Sequence, residues 1–174
     1  MSEFPRVGPE AFRTAARRFP GAVCLATARH GELAHAVTAT AFSLCLAPPL
    51  IFVSLDDGGQ LIRLVEAAQH IGVSVLDECH LTIAEWAAVR NRPLALPPDL
   101  VTATAATGAP LIPDALAWFD ARVEEILRFG DHAVVVGMVA ATGSRDDGRA
   151  ILYVDRGYRA VGTLLKPAAP ASSP

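Results

Sequence analysis

Cysteine is scarce in this chain. Its 174 residues contain three, Cys24, Cys45 and Cys79, far apart and odd in number. No C-x-x-C pair occurs, so neither a zinc knuckle nor a dithiol redox motif can be read. Cys24 and Cys45 lie inside apolar runs and read as small buried hydrophobes. Charge is also sparse, at 19% of residues, and the net charge is −3. A chain without a basic surface is a poor partner for nucleic acid, which excludes that class. The apolar run after Arg17-Arg18 is short and ends at Arg29-His30. It is read as neither a signal peptide nor a membrane span. The reduced-thiol reading and the lack of a membrane segment together predict a cytoplasmic protein.

What is abundant is apolar: 52% of the residues are hydrophobic. One domain with a large core and an apolar interface accounts for that excess. The expected domain spans 1–165, followed by a disordered Pro/Ala/Ser tail over 166–174. No internal repeat is present.

Periodicity lays out the elements. "GPEAFRTAARRF" puts Phe12, Ala15, Ala16 and Phe19 on one helical face. Ala22–Ala39 reads as a hairpin around Gly31. "AFSLCLA" and "LIFVSL" read as two further strands with Pro48-Pro49 at the corner between them. "GQLIRLVEAAQ" has helical spacing, "HIGVSVL" is strand-like, and "HLTIAEWAAV" is helical. Arg90–Pro113 is rich in proline and small residues and reads as a long surface excursion. "ALAWFDARVEEILRF" alternates like a long strand, although its composition also allows a helix. "HAVVVGMVAA" is a strand, and the two form a hairpin across Gly130-Asp131. About seven strands joined by short turns predict a mainly β, antiparallel barrel with a few added helices.

The order of four segments resembles the short-chain flavin reductase family, whose fold is the flavin-binding split β-barrel of Greek-key type. They are "FRTAARRFPGAVCLATA", "HAVTATAFSLCLAPPLIFVSL", "TGAPLIPDALAWFDARV" and "GDHAVVVGMV". The resemblance runs from Phe12 to about Arg159. It implies an NAD(P)H-dependent flavin reductase that supplies reduced FMN or FAD by diffusion to a partner flavin-dependent monooxygenase. It also implies a homodimer whose second subunit completes the ring site. NADH or NADPH would be the hydride donor, and neither a metal nor a membrane is involved. A rival reading is a split barrel that binds flavin or another ligand without reducing it, in a biosynthetic pathway.

By that resemblance, Thr38, Ala39, Thr40, Ala41, Phe42 and Ser43 line the flavin ring and its ribityl chain. Side chains this small let a flat ring approach bare backbone. The phosphate would fall at Gly58, Gly59 and Gln60, with Arg63, Arg90 or Arg92 as a compensating cation. Here the sequence departs from the family: Asp56 and Asp57 precede the glycines, and the expected hydroxyls are missing. Trp86 stands where relatives carry a Phe. His132 is the candidate catalytic residue beside the nicotinamide, with Asp131 as a nicotinamide-binding candidate next to it. Tyr158 and Arg159 are further candidates there, and Tyr158 also reads as a plain packing aromatic. His30, His35, His70 and His80 read as turn or surface residues without metal-ligand spacing. Hydride transfer between two rings asks mainly for stacking and orientation, which fits the lack of a catalytic triad.

Overall fold

The computed structural model describes residues 6–97 and 103–162. Alternating apolar runs close into a barrel. Its strands are β2 (Cys24–His30), β3 (Leu33–Leu46), β4 (Pro49–Asp56), β5 (His70–Val75), β6 (Ala117–Phe129) and β7 (His132–Ser144). Around the barrel the order is β2-β3-β4-β7-β6-β5, and β5 returns to β2, every pairing antiparallel. A small sheet joins β1 (Gly21–Ala22) to β8 (Ile151–Val154) and β9 (Gly157–Ala160). The helices are α1 (Pro9–Ala16), α2 (Gln60–Ala68) and α3 (Leu81–Ala88).

Inward positions along the strands form the core, among them Ala26, Val53, Ile71 and Val135. Helix α2 seals it with Leu61, Ile62, Leu64 and Val65, all buried. Each such aliphatic side chain contributes roughly 1.5–3 kcal/mol on burial. A second cluster, with Leu25, Leu76, Ala84 and Ile151, fastens α3 and the small sheet to the outside of β2. Helix α1 buries none of its residues, and Phe12 and Phe19 remain exposed.

Several expectations change. Leu33–Leu46 is one continuous strand of 14 residues rather than two. Its ladder passes from β2 to β4 near Ala39-Thr40, so one strand serves two partners. Nine strands are present among the described residues, two of them the short strands β1 and β9. Ala117–Phe129 is strand throughout, which removes the helical alternative.

The excursion after α3 is not a surface loop along its whole length. Ala109, Leu111, Ile112 and Ala115 are buried. The Thr27 hydroxyl donates to the Pro110 carbonyl, and Ile112 N–H donates to Ser74 Oγ at 3.1 Å. Asp120, itself buried, accepts from Thr107 N–H at 2.7 Å and from the Thr107 hydroxyl. Side chains satisfy part of the segment's backbone, beside an isolated bridge between Ala103 and Leu111. The expected tail over 166–174 lies outside the described residues.

His35 and His80 are buried rather than at the surface. His80 Nδ1 accepts from Asp77 N–H at 3.1 Å in a capping arrangement. Arg92 is buried as well. Its guanidinium donates to the carbonyls of Val89 at 2.8 Å and Ala87 at 2.9 Å, and to that of Ala36. It lies 3.9 Å from the Trp86 ring centroid. A cation at the C-terminal carbonyls of α3 closes that helix onto β3.

Candidate functional site

Register places the site at one rim of the barrel. Thr40 on β3 pairs with Ser54 on β4, and Ser54 pairs with Val134 on β7. Two residues further along, Asp56 lies opposite His132. The hairpin between β6 and β7 ends with Phe129 opposite His132, which holds the histidine at the rim.

Two lobes of one cleft open there. The first, about 590 Å³, runs from Thr38 and Ser54 past Asp56 to the start of α2, with Gly58, Gly59, Gln60 and Arg63 along it. His35, Arg90 and Asn91 close its far side. The second, about 700 Å³, lies over Thr38, Ala39, Thr40 and Phe42. Its aromatic wall is Phe19, Tyr153 and Tyr158. Thr38, Ser54, Ala88 and His132 border both lobes.

Most of the site residues read from the sequence therefore meet. Thr38, Ala39, Thr40, Phe42 and His132 share a rim, and Gly58, Gly59, Gln60 and Arg63 border the first lobe. Tyr158 borders the second, edge-on to Tyr153 at 5.3 Å between centroids. Burial first, then the Tyr153 and Glu85 neighbours, raises the Tyr158 phenol above its usual pKa. Ala41, Ser43, Asp131 and Arg159 do not border either lobe. Ala41 packs against the core, and Ser43 lies further along β3, past Phe42. Asp131 instead takes a hydrogen bond from His132 Nδ1 at 2.7 Å, which holds its carboxyl below the usual range.

The loop before α2 is wired differently from the bare anion cradle expected. Gly58 N–H donates to Asp56 Oδ1 at 3.0 Å, and Gly59 N–H donates to the Asp56 carbonyl at 3.0 Å. Arg63 Nη1 donates to the Gly58 carbonyl at 2.9 Å. Asp57 is bonded to Arg128 at 2.8 Å, and Arg128 also reaches Glu66. The amides that open α2 at Gln60 and Leu61 carry no side-chain cap. Of the three arginines considered as compensating cations, Arg63 and Arg90 border the cleft, whereas Arg92 is committed to carbonyls behind it.

Sequence reading missed Ser54, Ala88 and the histidine at 35. Ser54 carried a signal, since it interrupts the apolar run of β4 at an outward position. His35 did not, because the groups that act on it, Arg92 and Pro93, lie far along the chain. Burial, with the Arg92 charge beside it, lowers the His35 pKa.

A family model described as "Flavin reductase like domain" matches residues 16–162. The reductase component of 4-hydroxyphenylacetate 3-monooxygenase from Thermus thermophilus is 34% identical over 152 residues, covering 86% of this chain and 95% of that one. The NADH-dependent flavin reductase StyB of Pseudomonas fluorescens is 32% identical over 124 residues, covering 71% and 70%. The crystal structure of BorF, the flavin reductase component of a bacterial two-component tryptophan halogenase, superposes with a TM-score of 0.81 at 28% identity. That superposition covers 90% of this chain and 100% of BorF.

Proposed function

Because the chain belongs to the flavin reductase-like domain family, we propose that it is an NAD(P)H-dependent flavin reductase. It supplies reduced FMN or FAD to a partner flavin-dependent monooxygenase. The carrying observation is the floor of Thr38, Ala39 and Thr40 beneath the second lobe, with Thr38 continuing it into the first.

The residues present suit a flavin. A tricyclic ring needs a flat, side-chain-poor surface with backbone polar groups at its edge, and β3 supplies one. The first lobe has the length and polarity for a ribityl chain. A bound flavin supplies the two-electron acceptor for the hydride that NADH or NADPH brings. The protein's own task is placement. Phe42, whose ring lies 5.4 Å from that of Phe52, borders the ring position. Tyr153, Tyr158 and Phe19 offer faces for a second planar ring. His132, held by Asp131, stands between the lobes, where it orients the donor and keeps the two rings in contact. No acid–base step is asked of it.

The chain works as a homodimer. Phe42, Leu44 and Leu46 alternate along β3 and stay exposed, as do Phe12 and Phe19, and this apolar surface suits a second copy. The protein is cytoplasmic, as three unpaired cysteines allow. Among the described residues no helix is long and apolar enough to cross a membrane.

The test is anaerobic. FMN or FAD is mixed with the protein, NADH or NADPH is added, and visible flavin absorbance is followed. Bleaching at enzymatic rates is expected with at least one pair. Tight flavin binding without bleaching would replace this reading with a carrier role.

A further inference from the structure

We propose that Asp56 decides which flavin this protein prefers: it accepts a hydrogen bond from the ribityl hydroxyls and disfavours a terminal phosphate monoester. Riboflavin then binds at least as well as FMN. The inference rests on the flavin-binding reading above and goes beyond it.

The wiring of the loop carries the argument. A phosphate-binding loop keeps its amides free and its charges positive. Here the Asp56 side chain takes the Gly58 amide and its carbonyl takes the Gly59 amide. The glycines answer to that turn rather than to an anion. A Cβ at Gly59 would lie 2.9 Å from the Asp56 carbonyl oxygen, closer than side chains tolerate. Arg63 turns one nitrogen back onto the loop. Asp57 is offset by Arg128, but among the described residues Asp56 forms no ion pair. Its charge therefore borders the cleft without an ion pair, in a lobe that it shares with the neutral Gln60, Asn91 and Ser54 and with Arg63, Arg90 and His132.

That set suits alcohols. A carboxylate is an acceptor only, and a ribityl chain offers several O–H donors to it. Beyond Ser54, Asp56 is the next residue the chain would meet on its way from the ring floor to α2. A phosphate dianion placed at the start of α2 comes within a few ångströms of a like charge, which disfavours it. The amides at Gln60 and Leu61, with Arg63 and Arg90, offset part of that repulsion, so FMN is weakened rather than excluded.

The experiment uses Asp56→Asn, which keeps an oxygen to accept from Gly58 N–H. Dissociation constants for riboflavin and FMN are read from quenching of flavin fluorescence, with no nicotinamide present. In the parent protein the two constants should agree within a few-fold or favour riboflavin. In Asp56→Asn, FMN should tighten about three- to tenfold while riboflavin weakens, as expected for removing one charge at this range. Opposite signs cannot come from a damaged fold, which would weaken both. A parent preference for FMN of tenfold or more, or shifts of the same sign, overturns the assignment. Intact binding without bleaching by NADH or NADPH overturns the reductase reading alone. Failure to bind either flavin overturns both.

Discussion

Thr27 on β2 and Gly72 on β5 are direct register partners, and Gly72 leaves only the space that the Thr27 hydroxyl needs to reach the Pro110 carbonyl. A Cβ at Gly72 would lie 2.5 Å from Thr27 Oγ1 and 2.6 Å from the Pro110 oxygen. The barrel wall and the segment carrying Leu111 and Ile112 are fastened here, beside the Ile112–Ser74 and Thr107–Asp120 bonds. Gly72→Ala should therefore push that segment off the barrel. A loss of about 2–4 kcal/mol is expected from overpacking together with a broken buried hydrogen bond. Urea unfolding measures it, and a change below about 0.5 kcal/mol would show that the segment is not fastened there.

Arg92 makes a second prediction. Its buried guanidinium holds the carbonyls of Ala87, Val89 and Ala36 and stacks on Trp86. Burial without a carboxylate partner lowers its pKa. Arg92→Lys keeps the charge but cannot fork to three acceptors or stack as a plane. It should cost about 2–3 kcal/mol, nearly as much as Arg92→Ala. A lysine variant as stable as the parent in thermal unfolding would show that charge alone closes α3.

Strands and helices were legible where one period dominates, as in β7 and α2. β3 was legible in place but not in length. Its Thr/Ala stretch and its Phe-Ser step look like a break, and only the exchange of partner from β2 to β4 makes them one strand. The floor of the site was legible because small residue types state their own purpose. Its alternation, which turns Ala41 inward, follows from register. Arg92, His35 and Leu111 were not legible. Each depends on residues dozens of positions away, Arg92 on Ala36 as well as on its own helix end, and a charge or a Pro-rich run carries no local mark of that. The Asp-Asp-Gly-Gly loop was legible as unusual, while the capping of its own amides by Asp56 needed coordinates.

Thr40 tests the floor itself. It is exposed on β3 and borders the second lobe. Thr40→Leu adds bulk where the ring would lie and leaves the core alone. Flavin binding should weaken at least tenfold, with stability changed by no more than about 0.5 kcal/mol. Unaltered FMN and FAD binding in this variant would remove the ring from β3.

His132 separates donor from acceptor. If it orients the nicotinamide, His132→Ala should lower kcat/KM for NADH or NADPH about tenfold, of the order of one lost oriented contact. Flavin dissociation constants should change less than threefold. Equal losses for both ligands would assign the histidine to the flavin instead.

Asp77 gives the pH dependence. It is buried between barrel and small sheet, where Oδ1 accepts from Cys79 N–H at 3.1 Å and Oδ2 is paired with Arg145. The Cys79 amide bond is the largest cause holding its carboxyl below the usual range. Arg145 adds to it, and partial burial opposes both. A depressed folded pKa means that the unfolded chain binds the proton more readily. The stabilisation is therefore present above the unfolded value of about 3.9 and is lost as pH falls through the lower folded value. Asp77→Asn removes the titration and keeps an acceptor for the Cys79 amide. The variant should be less stable than the parent at pH 7, and the gap should narrow as pH falls below about 4. Unfolding midpoints between pH 2.5 and 7 test this. A gap that stays constant across that window would show that Asp77 holds the two sheets by hydrogen-bond shape alone, with its charge playing no part.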